Sequence, residues 1–181
     1  MVRYVALLRG INVGGKNLIR MADLKACFED MDFEGVATYI QSGNVVFSAG
    51  AENRAELVQR IEAGLSERFG YAANIVLRSR EELRDVVEHA PAGFGTAPAL
   101  RRYDVLYLKE PLTAADALRQ IPSREGVDEV HAGLGVVYFS RLISRATQSR
   151  LSRIASMPIY ASMTIRNWNT TMRLKKLLEG P

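Results

Sequence analysis

Short apolar runs alternate with helical stripes along the first half of the chain. A run rich in Val, Leu and Tyr at residues 2–9 ends at Gly10, which predicts a strand. Apolar residues then recur at i, i+3, i+4 and i+7 from Leu24 to Met31, the spacing of an amphipathic helix. The other predicted elements are strands at 36–40, 45–48 and 74–78 and helices at 57–69 and 81–89. The first half therefore has the order β-α-β-β-α-β followed by one extra helix.

The same order begins again after a segment rich in Pro, Gly and Ala. Strands are predicted at 103–108, 127–131, 136–141 and 159–165, and helices at 114–120, 149–157 and 170–178. This repetition predicts an α+β fold with two ferredoxin-like β-α-β-β-α-β halves in tandem, each followed by an extra helix. The predicted domains are residues 1–90 for the first ferredoxin-like half, 91–101 for a connector, and 102–181 for the second half with its C-terminal helix.

Several predicted strands are apolar on both of their alternating sides. Residues 45–47 and 136–139 show this pattern most clearly. A sheet with one solvated face would alternate apolar and polar residues, so we expect both faces of each sheet to be covered. A covered sheet leaves no open aromatic face of the kind that binds RNA, and the sheet aromatics are accordingly predicted to be core residues.

Composition and cysteine content narrow the class of protein. The chain has 48% hydrophobic and 24% charged residues, which is typical of a packed globular protein. Its first apolar run is too short for a signal peptide, and no run approaches the ~20 apolar residues of a membrane-spanning helix. The single cysteine, Cys27, excludes an internal disulfide. We therefore expect a bacterial cytoplasmic protein with no membrane contact.

The charge is unevenly distributed, although the net charge is only +4. Residues 130–178 contain eight Lys or Arg residues and no Asp or Glu. Such a segment is typical of a surface that meets an anionic partner. A solvated basic face beside a more acidic half is the alternative, and the sequence leaves both open.

The first candidate site is the loop Gly10-Ile-Asn-Val-Gly-Gly-Lys-Asn17. It resembles a phosphate-binding P-loop, but Asn17 replaces the Ser or Thr that holds Mg²⁺, and the predicted helix begins several residues after the lysine. A true nucleotide-triphosphatase loop is therefore not expected. The glycines favour either a concavity of backbone N–H groups that binds an anion, or a long connection that relieves strain.

Two further polar segments fall at predicted turns. Gln41-Ser-Gly-Asn44 is typical of a hairpin turn first and of a polar site second. Thr164-Ile-Arg-Asn-Trp-Asn-Thr170 places the only tryptophan where a strand becomes a helix. Asn167 or Asn169 is a natural N-cap there, and an Arg166 guanidinium beside exposed helix N–H groups would bind a carboxylate or phosphate bidentately. Capping with packing of the Trp is the alternative.

No pattern predicts a metal site, a cofactor or a set of catalytic residues. His89 and His131 are far apart and lack the carboxylate pattern of a zinc site. Neither a Gly-x-Ser-x-Gly elbow nor a catalytic carboxylate pair stands out, and Cys27 lies on the apolar helix stripe. Whether the protein is an enzyme is left open.

The blocks at residues 4–17, 39–47 and 164–170, taken together, resemble those of the bacterial family called domain of unknown function 1697. They occur in the order of that family and span nearly the whole chain. The resemblance implies a cytoplasmic α+β protein with two ferredoxin-like halves. It implies no activity.

Two functional hypotheses follow from the polar and basic segments. In the first, a small ligand that bears phosphate or carboxylate binds at the junction of the two halves. The predicted ligand-binding residues are Arg9, Asn12, Gly14, Gly15, Lys16, Asn17, Ser42, Asn44, Arg166, Asn167, Trp168 and Asn169. This hypothesis places the Arg166 guanidinium and the 10–17 loop at one cavity.

In the second hypothesis the partner is nucleic acid, bound through the basic C-terminal quarter of the chain. The residues expected on its phosphates are Arg145, Arg150, Arg153, Arg173, Lys175 and Lys176. The first hypothesis is favoured, because the Gly/Asn loop and the Arg-Asn-Trp-Asn block are polar in ways that a general phosphate contact does not require. Neither hypothesis fixes an oligomeric state.

Overall fold

The computed structural model of the protein describes residues 1–50 and 52–180. Its strands and α-helices follow in chain order: β1 (Val2–Leu8), α1 (Met21–Glu29), β2 (Glu34–Tyr39), β3 (Asn44–Ala49), α2 (Arg54–Phe69), β4 (Ile75–Ser79), α3 (Arg80–Glu88), β5 (Arg101–Leu108), α4 (Ala114–Gln120), β6 (Asp128–Ala132), β7 (Val136–Leu142), α5 (Leu151–Ile154), β8 (Met163–Asn167) and α6 (Trp168–Glu179). Short 3₁₀ helices occupy Ile143–Gln148 and Pro158–Ser162.

Each half contributes one four-stranded antiparallel sheet. The strand orders are β2-β3-β1-β4 and β6-β7-β5-β8, so the first strand of each half lies between the third and fourth. In the first sheet Tyr4 lies opposite Phe47, and in the second sheet Tyr107 lies opposite Val136. The predicted α+β class is confirmed, and the matching orders are consistent with two similar halves.

The chain forms two compact units. The first is Met1–Glu81 together with the segment that begins at Leu174, and the second is Glu82–Arg173. Residues 82–90, assigned to the first half from the sequence, therefore lie in the second unit. The physical reason is that Val86 is 1% exposed there and its carbonyl oxygen accepts a 2.7 Å hydrogen bond from the Tyr138 hydroxyl.

One core cluster of the first unit lies on one face of its sheet, and Val5, Leu7 and Val46 are buried on the other face. The apolar stripe predicted for α1 is the buried face of that helix, and Leu24 and Phe28 are fully enclosed. Leu57 and Ile61 of α2 pack in the same cluster with Phe47 of β3. Complete burial of such side chains contributes about 1.5–3 kcal/mol each, so this cluster contributes substantially to the stability of the unit.

The second unit has an equivalent core. Leu106 of β5 and Phe139 of β7 pack with Ala117 of α4, Ile154 of α5 and Met163 of β8. The four residues at the end of β5, 105–108, are at most 1% exposed. Both faces of this strand are therefore buried, as the absence of apolar and polar alternation predicts.

The segment between β7 and β8 differs from the prediction. The helix expected at 149–157 is reduced to the four residues of α5, and the strand expected at 159–165 begins only at Met163. One cause is Asp128, whose Oδ2 accepts 2.9 Å hydrogen bonds from the backbone N–H groups of Arg124 and Arg150 and so fixes the chain before α5. A second cause is Pro158, which lacks an N–H group and starts a separate 3₁₀ turn.

Across the described ranges, 1–50 and 52–180, none of the helices has both the length and the apolar character that crossing a membrane requires.

Candidate functional site

The 10–17 loop of the first unit contains a tight hairpin. Val13 and Lys16 form an antiparallel bridge, and the Lys16 N–H donates to the Val13 carbonyl oxygen at 3.1 Å. Gly14 and Gly15 sit between them with φ values of 59° and 75°, the left-handed conformation that a two-residue turn of this kind requires. The Lys16 N–H is thus used inside the turn, where a P-loop would direct it at a phosphate.

Asn12 joins this loop to the next predicted block. Its Oδ1 accepts a 2.8 Å hydrogen bond from the Ile19 N–H, and its Nδ2 donates to the carbonyl oxygens of Ile19 and Gln41 at 3.0 and 2.9 Å. A Cβ at Gly43 would lie 2.6 Å from Ile11 Cδ1, so this turn also approaches the loop closely. The structure therefore brings together the first two blocks that the sequence analysis singled out.

The other predicted residues of the first unit are also tied to its backbone. Asn17 Nδ2 donates to the Gly10 carbonyl oxygen at 2.8 Å. Asn44 is buried, and its Nδ2 donates to the Tyr39 carbonyl oxygen at 2.8 Å and to Ser42 Oγ at 3.2 Å. The Arg9 N–H donates to the Asn74 carbonyl oxygen at 3.0 Å. These contacts give Asn12, Asn17 and Asn44 structural roles, and their predicted contacts with a ligand stay predictions.

The last predicted block lies in the second unit, at the start of α6. Asn167 Oδ1 accepts a 2.8 Å hydrogen bond from the Thr170 N–H, so Asn167 is the N-cap of the two predicted candidates, Asn167 and Asn169. Trp168 packs edge-on against Phe94, with ring centroids 5.1 Å apart, and lies against the backbone of Gly95. Asn169, in the first turn of the helix, is exposed.

Arg166, predicted to bind an anion beside the helix N–H groups, is buried with 6% exposure. Its Nη1 donates to Thr164 Oγ1 at 2.8 Å and to the Ile165 carbonyl oxygen at 2.9 Å. Burial lowers the pKa of Arg166 to about 10, which leaves it protonated at neutral pH. The guanidinium therefore supports the strand that leads into α6.

A cavity of about 330 Å³ opens in the second unit between the start of β5 and the start of α6. Tyr103 and Trp168 supply aromatic walls, and Gly95 and Pro98 come from the predicted connector. The polar lining consists of Arg101, Arg102, Asp104, Arg141, Asn167 and Asn169. Three of the predicted binding residues, 167–169, thus share this cavity with charged residues that the sequence analysis did not select.

The charges of the cavity are set by strand register. Arg102 of β5 lies directly opposite Arg141 of β7, and Asp104 lies opposite Asn167 of β8. Arg141 Nη1 is 3.5 Å from Asp104 Oδ2, an ion pair longer than a normal N–H···O hydrogen bond. Burial raises the pKa of Asp104 and outweighs the opposite effects of Arg141 and Arg102.

Arg101 is the third arginine of the lining, and its contacts are structural. Its Nε donates to Ser140 Oγ at 3.1 Å, and its Nη1 forms a 3.1 Å ion pair with Glu129 Oε1. Arg102, the next residue of β5, is exposed and lies on the opposite face of the strand from Arg101. Arg102 and Arg141 are therefore the two cations of the cavity best placed to contact a ligand.

Comparisons with known proteins identify the family. The family model described as "Protein of unknown function (DUF1697)" matches residues 1–138 of the chain. The chain belongs to this family. A search of curated proteins finds no match. Among solved structures, the chain is similar to that of the conserved bacterial protein SP0830 from Streptococcus pneumoniae, with 28% identity, a TM-score of 0.85 and 99% of each chain covered.

Two of the three blocks that carry the resemblance to the DUF1697 family fall inside the matched residues. The block at 164–170 lies beyond residue 138, although the solved structure covers 99% of the chain. Within residues 1–50 and 52–180, no three His, Cys, Asp or Glu side chains are grouped so as to hold a metal ion.

Sequence reasoning missed the charged part of the cavity. Arg102, Asp104 and Arg141 belong to strands whose mutual register is not visible in the sequence, so nothing placed them side by side. A local signal did exist, because Arg102 and Asp104 are charged residues two positions apart, just before the apolar residues 105–108 of the same strand. A pair of this kind at the end of a buried strand indicates a polar edge of the sheet.

Proposed function

We propose that this DUF1697 protein binds a small ligand bearing phosphate or carboxylate in the cavity of its second unit. The observation that carries the proposal is the pair Arg102 and Arg141, directly opposite each other on β5 and β7 beside that cavity. Like charges in this arrangement destabilise a sheet, and an anion between them relieves the repulsion. A guanidinium also presents two parallel N–H donors that match the oxygens of carboxylate or phosphate.

The size and lining of the cavity support a small molecule. Its volume of about 330 Å³ is near the lower end of ligand pockets, which span about 300–1,000 Å³. Trp168 offers an aromatic wall, and Asn169 offers an amide beside the first turn of α6. The positive end of the helix dipole favours an anion at that position. A single phosphorylated or carboxylated metabolite suits these features better than a larger cofactor.

The predicted role of the first-unit loop is a separate part of the proposal. Lys16 is exposed, and its side chain takes no part in the backbone hydrogen bonds of the hairpin. A Lys16→Ala variant therefore removes one cation without altering the turn. Loss of ligand affinity in this variant would support a contribution of the loop, and unchanged affinity would exclude it. The predicted position of the site at the junction of the halves stays a prediction.

The test is isothermal titration with inorganic phosphate at low ionic strength, using wild type, Arg102→Ala and a matched control, Arg145→Ala. Both arginines are exposed and both variants lose one positive charge, but Arg145 lies outside the cavity lining. Loss of a charged hydrogen bond costs about 1.5–3 kcal/mol, so Arg102→Ala should weaken binding about 10- to 150-fold. The control should change affinity less than about twofold. Equal losses in the two variants, or no binding by wild type, would refute the proposal.

A thermal-shift screen then narrows the ligand class. Sugar phosphates, nucleotides, hydroxy acids and short oligonucleotides each raise the unfolding temperature if they bind the native state. We expect the largest shift from a compound small enough for a 330 Å³ cavity.

The second candidate function is nucleic-acid binding. In its favour, Arg145 and Arg153 are exposed and form no ion pair with a carboxylate within the described part of the chain. For such binding, the logarithm of affinity falls with the logarithm of salt concentration, with a slope of about −0.9 per duplex phosphate contact. Arg145→Ala would then weaken oligonucleotide binding and reduce the magnitude of that slope by about one. Arg102→Ala would have the smaller effect on oligonucleotide binding.

Two finer features belong with this proposal. We infer that each half is a ferredoxin-like unit, supported by the two strand orders and by the succession of elements around them. We also infer a location in the bacterial cytoplasm, supported by the free thiol of the buried Cys27, which is usual in reducing compartments.

A further inference from the structure

Asp104 has a carboxylate oxygen that the surrounding protein does not satisfy. Its Oδ2 is enclosed and accepts no hydrogen bond from any residue in the described ranges, and the side chain is only 13% exposed. Arg141 Nη1 lies at 3.5 Å, which permits charge attraction but exceeds the usual N–H···O hydrogen-bond distance. The other oxygen, Oδ1, also accepts no hydrogen bond within the described ranges and is not enclosed, so it is the oxygen that a bound molecule can reach.

This carboxylate also lines the cavity that Arg102 and Arg141 flank. A ligand that was only an anion would be attracted by the two guanidinium groups and repelled by Asp104. A ligand with a hydrogen-bond donor next to its anionic group would satisfy the accessible Asp104 Oδ1 as well. The lining therefore recognises two features of a ligand a few ångströms apart.

The nature of the donor follows from the neighbouring charges. Burial raises the pKa of Asp104, while Arg141 and Arg102 act to lower it, so both guanidinium groups are close enough to influence the site. An ammonium group placed beside Asp104 would meet the repulsion of two arginines. A hydroxyl group donates a short O–H···O⁻ hydrogen bond without adding charge.

We propose, on the basis of the anion-binding function above, that the ligand is a hydroxylated small anion of the sugar-phosphate or hydroxy-acid class. Arg102 and Arg141 bind its phosphate or carboxylate, and Asp104 Oδ1 accepts a hydrogen bond from its hydroxyl group. Asp104 is thus the residue that selects this class over anions without a hydroxyl.

The test uses three phosphates of nearly equal size: ethyl phosphate, 2-hydroxyethyl phosphate and 2-aminoethyl phosphate. Their dissociation constants are measured by isothermal titration at low salt. We expect the hydroxyl compound to bind wild type at least tenfold more tightly than the ethyl compound, and the amino compound to bind no more tightly than the ethyl compound. The same comparison is made for a carboxylate with 3-hydroxypropionate and propionate. The affinities of the phosphates and of the carboxylates together show which anionic group the protein prefers.

Two variants of Asp104 test the assignment of the residue. Asp104→Ala removes the acceptor and should abolish the preference for the hydroxyl compound, while its affinity for ethyl phosphate stays equal or rises. Asp104→Asn keeps a neutral carbonyl acceptor and should retain part of the preference. Unfolding temperatures of both variants verify that they fold. If Asp104→Ala does not fold, the test relies on Asp104→Asn.

The outcomes separate this inference from the proposed function. Equal binding of ethyl and 2-hydroxyethyl phosphate to wild type would overturn the inference and leave anion binding intact. Tightest binding of the amino compound, or a full hydroxyl preference in Asp104→Ala, would also overturn it. If neither inorganic phosphate nor any of the three esters binds, both the function and the inference are wrong.

Discussion

Replacing Gly95 by Ala tests whether the predicted connector is an integral part of the second unit. Gly95 has φ +83°, and a Cβ there would lie 2.5 Å from Trp168 Cδ1 and closer still to Nε1. The left-handed conformation costs an alanine about 1–2 kcal/mol, and displacing a packed indole costs about 1–3 kcal/mol more. The sum, about 2–5 kcal/mol, corresponds to a fall in unfolding temperature of about 4–20 °C for a chain of this length.

Gly93→Ala is the matched control. Gly93 is two residues away with φ +78°, but its Cβ would meet only Thr96 Oγ1 at 3.7 Å, an ordinary contact. This variant has the backbone strain alone, so its free energy of unfolding should fall by about 1–2 kcal/mol. Thermal unfolding is followed by circular dichroism and by the fluorescence of Trp168, the only tryptophan. Equal losses of stability in the two variants, with unchanged native fluorescence in Gly95→Ala, would refute the packing argument.

Other predictions concern single side chains. Asn12→Ala should lower the free energy of unfolding by about 2–4 kcal/mol because three hydrogen bonds are lost. Asn12→Asp keeps the acceptor for the Ile19 N–H, so its free energy of unfolding should fall by less. Wild-type stability in both variants would contradict this prediction. Burial raises the pKa of Asp104 above its unfolded value, so the stability linked to its protonated form is present at low pH and lost as pH rises through the folded pKa. Asp104→Asn should therefore unfold at an equal or higher temperature than wild type at pH 7, with the difference disappearing near pH 3; a less stable variant at pH 7 would count against it. Burial raises the pKa of Tyr138 to about 12, so an ultraviolet titration of Tyr138→Phe should lose amplitude only in that range, and a loss near pH 10 would show that the phenol is accessible.

Local rules predicted the elements whose structure is decided by nearby residues. The helix at 114–120 matches α4 to the residue, because Thr113 supplies a capping side chain and Pro111 precedes it. Asn167 or Asn169 was predicted as the N-cap of α6 from its local position, and Asn167 is the residue that caps it. The helix at 149–157 was predicted too long. Its start is set by Asp128, more than 20 residues earlier, which accepts a hydrogen bond from the Arg150 N–H, and Pro158 starts a separate 3₁₀ turn.

The residues of the candidate site also fall into two groups, one predictable from the local sequence and one set by strand pairing. Asn167, Trp168 and Asn169 were found because a strand that turns into a helix leaves a local signature of caps and polar residues. Arg102, Asp104 and Arg141 were missed because they meet only through the pairing of β5 with β7, which brings residues almost 40 positions apart into contact. Strand register depends on the whole sheet, and no single stretch of sequence contains it.

Trp168 offers the most direct test of the central claim, that the cavity of the second unit binds a small anion. It is the only tryptophan and it lines the cavity, so its indole Nε1–H gives one side-chain signal in the N–H correlation spectrum of isotope-labelled protein. Titration with sodium phosphate, matched in ionic strength by sodium chloride, should move this signal along a saturable curve, and Arg102→Ala should abolish the saturation. An indole signal that stays in place, or that moves equally with chloride, would contradict the account.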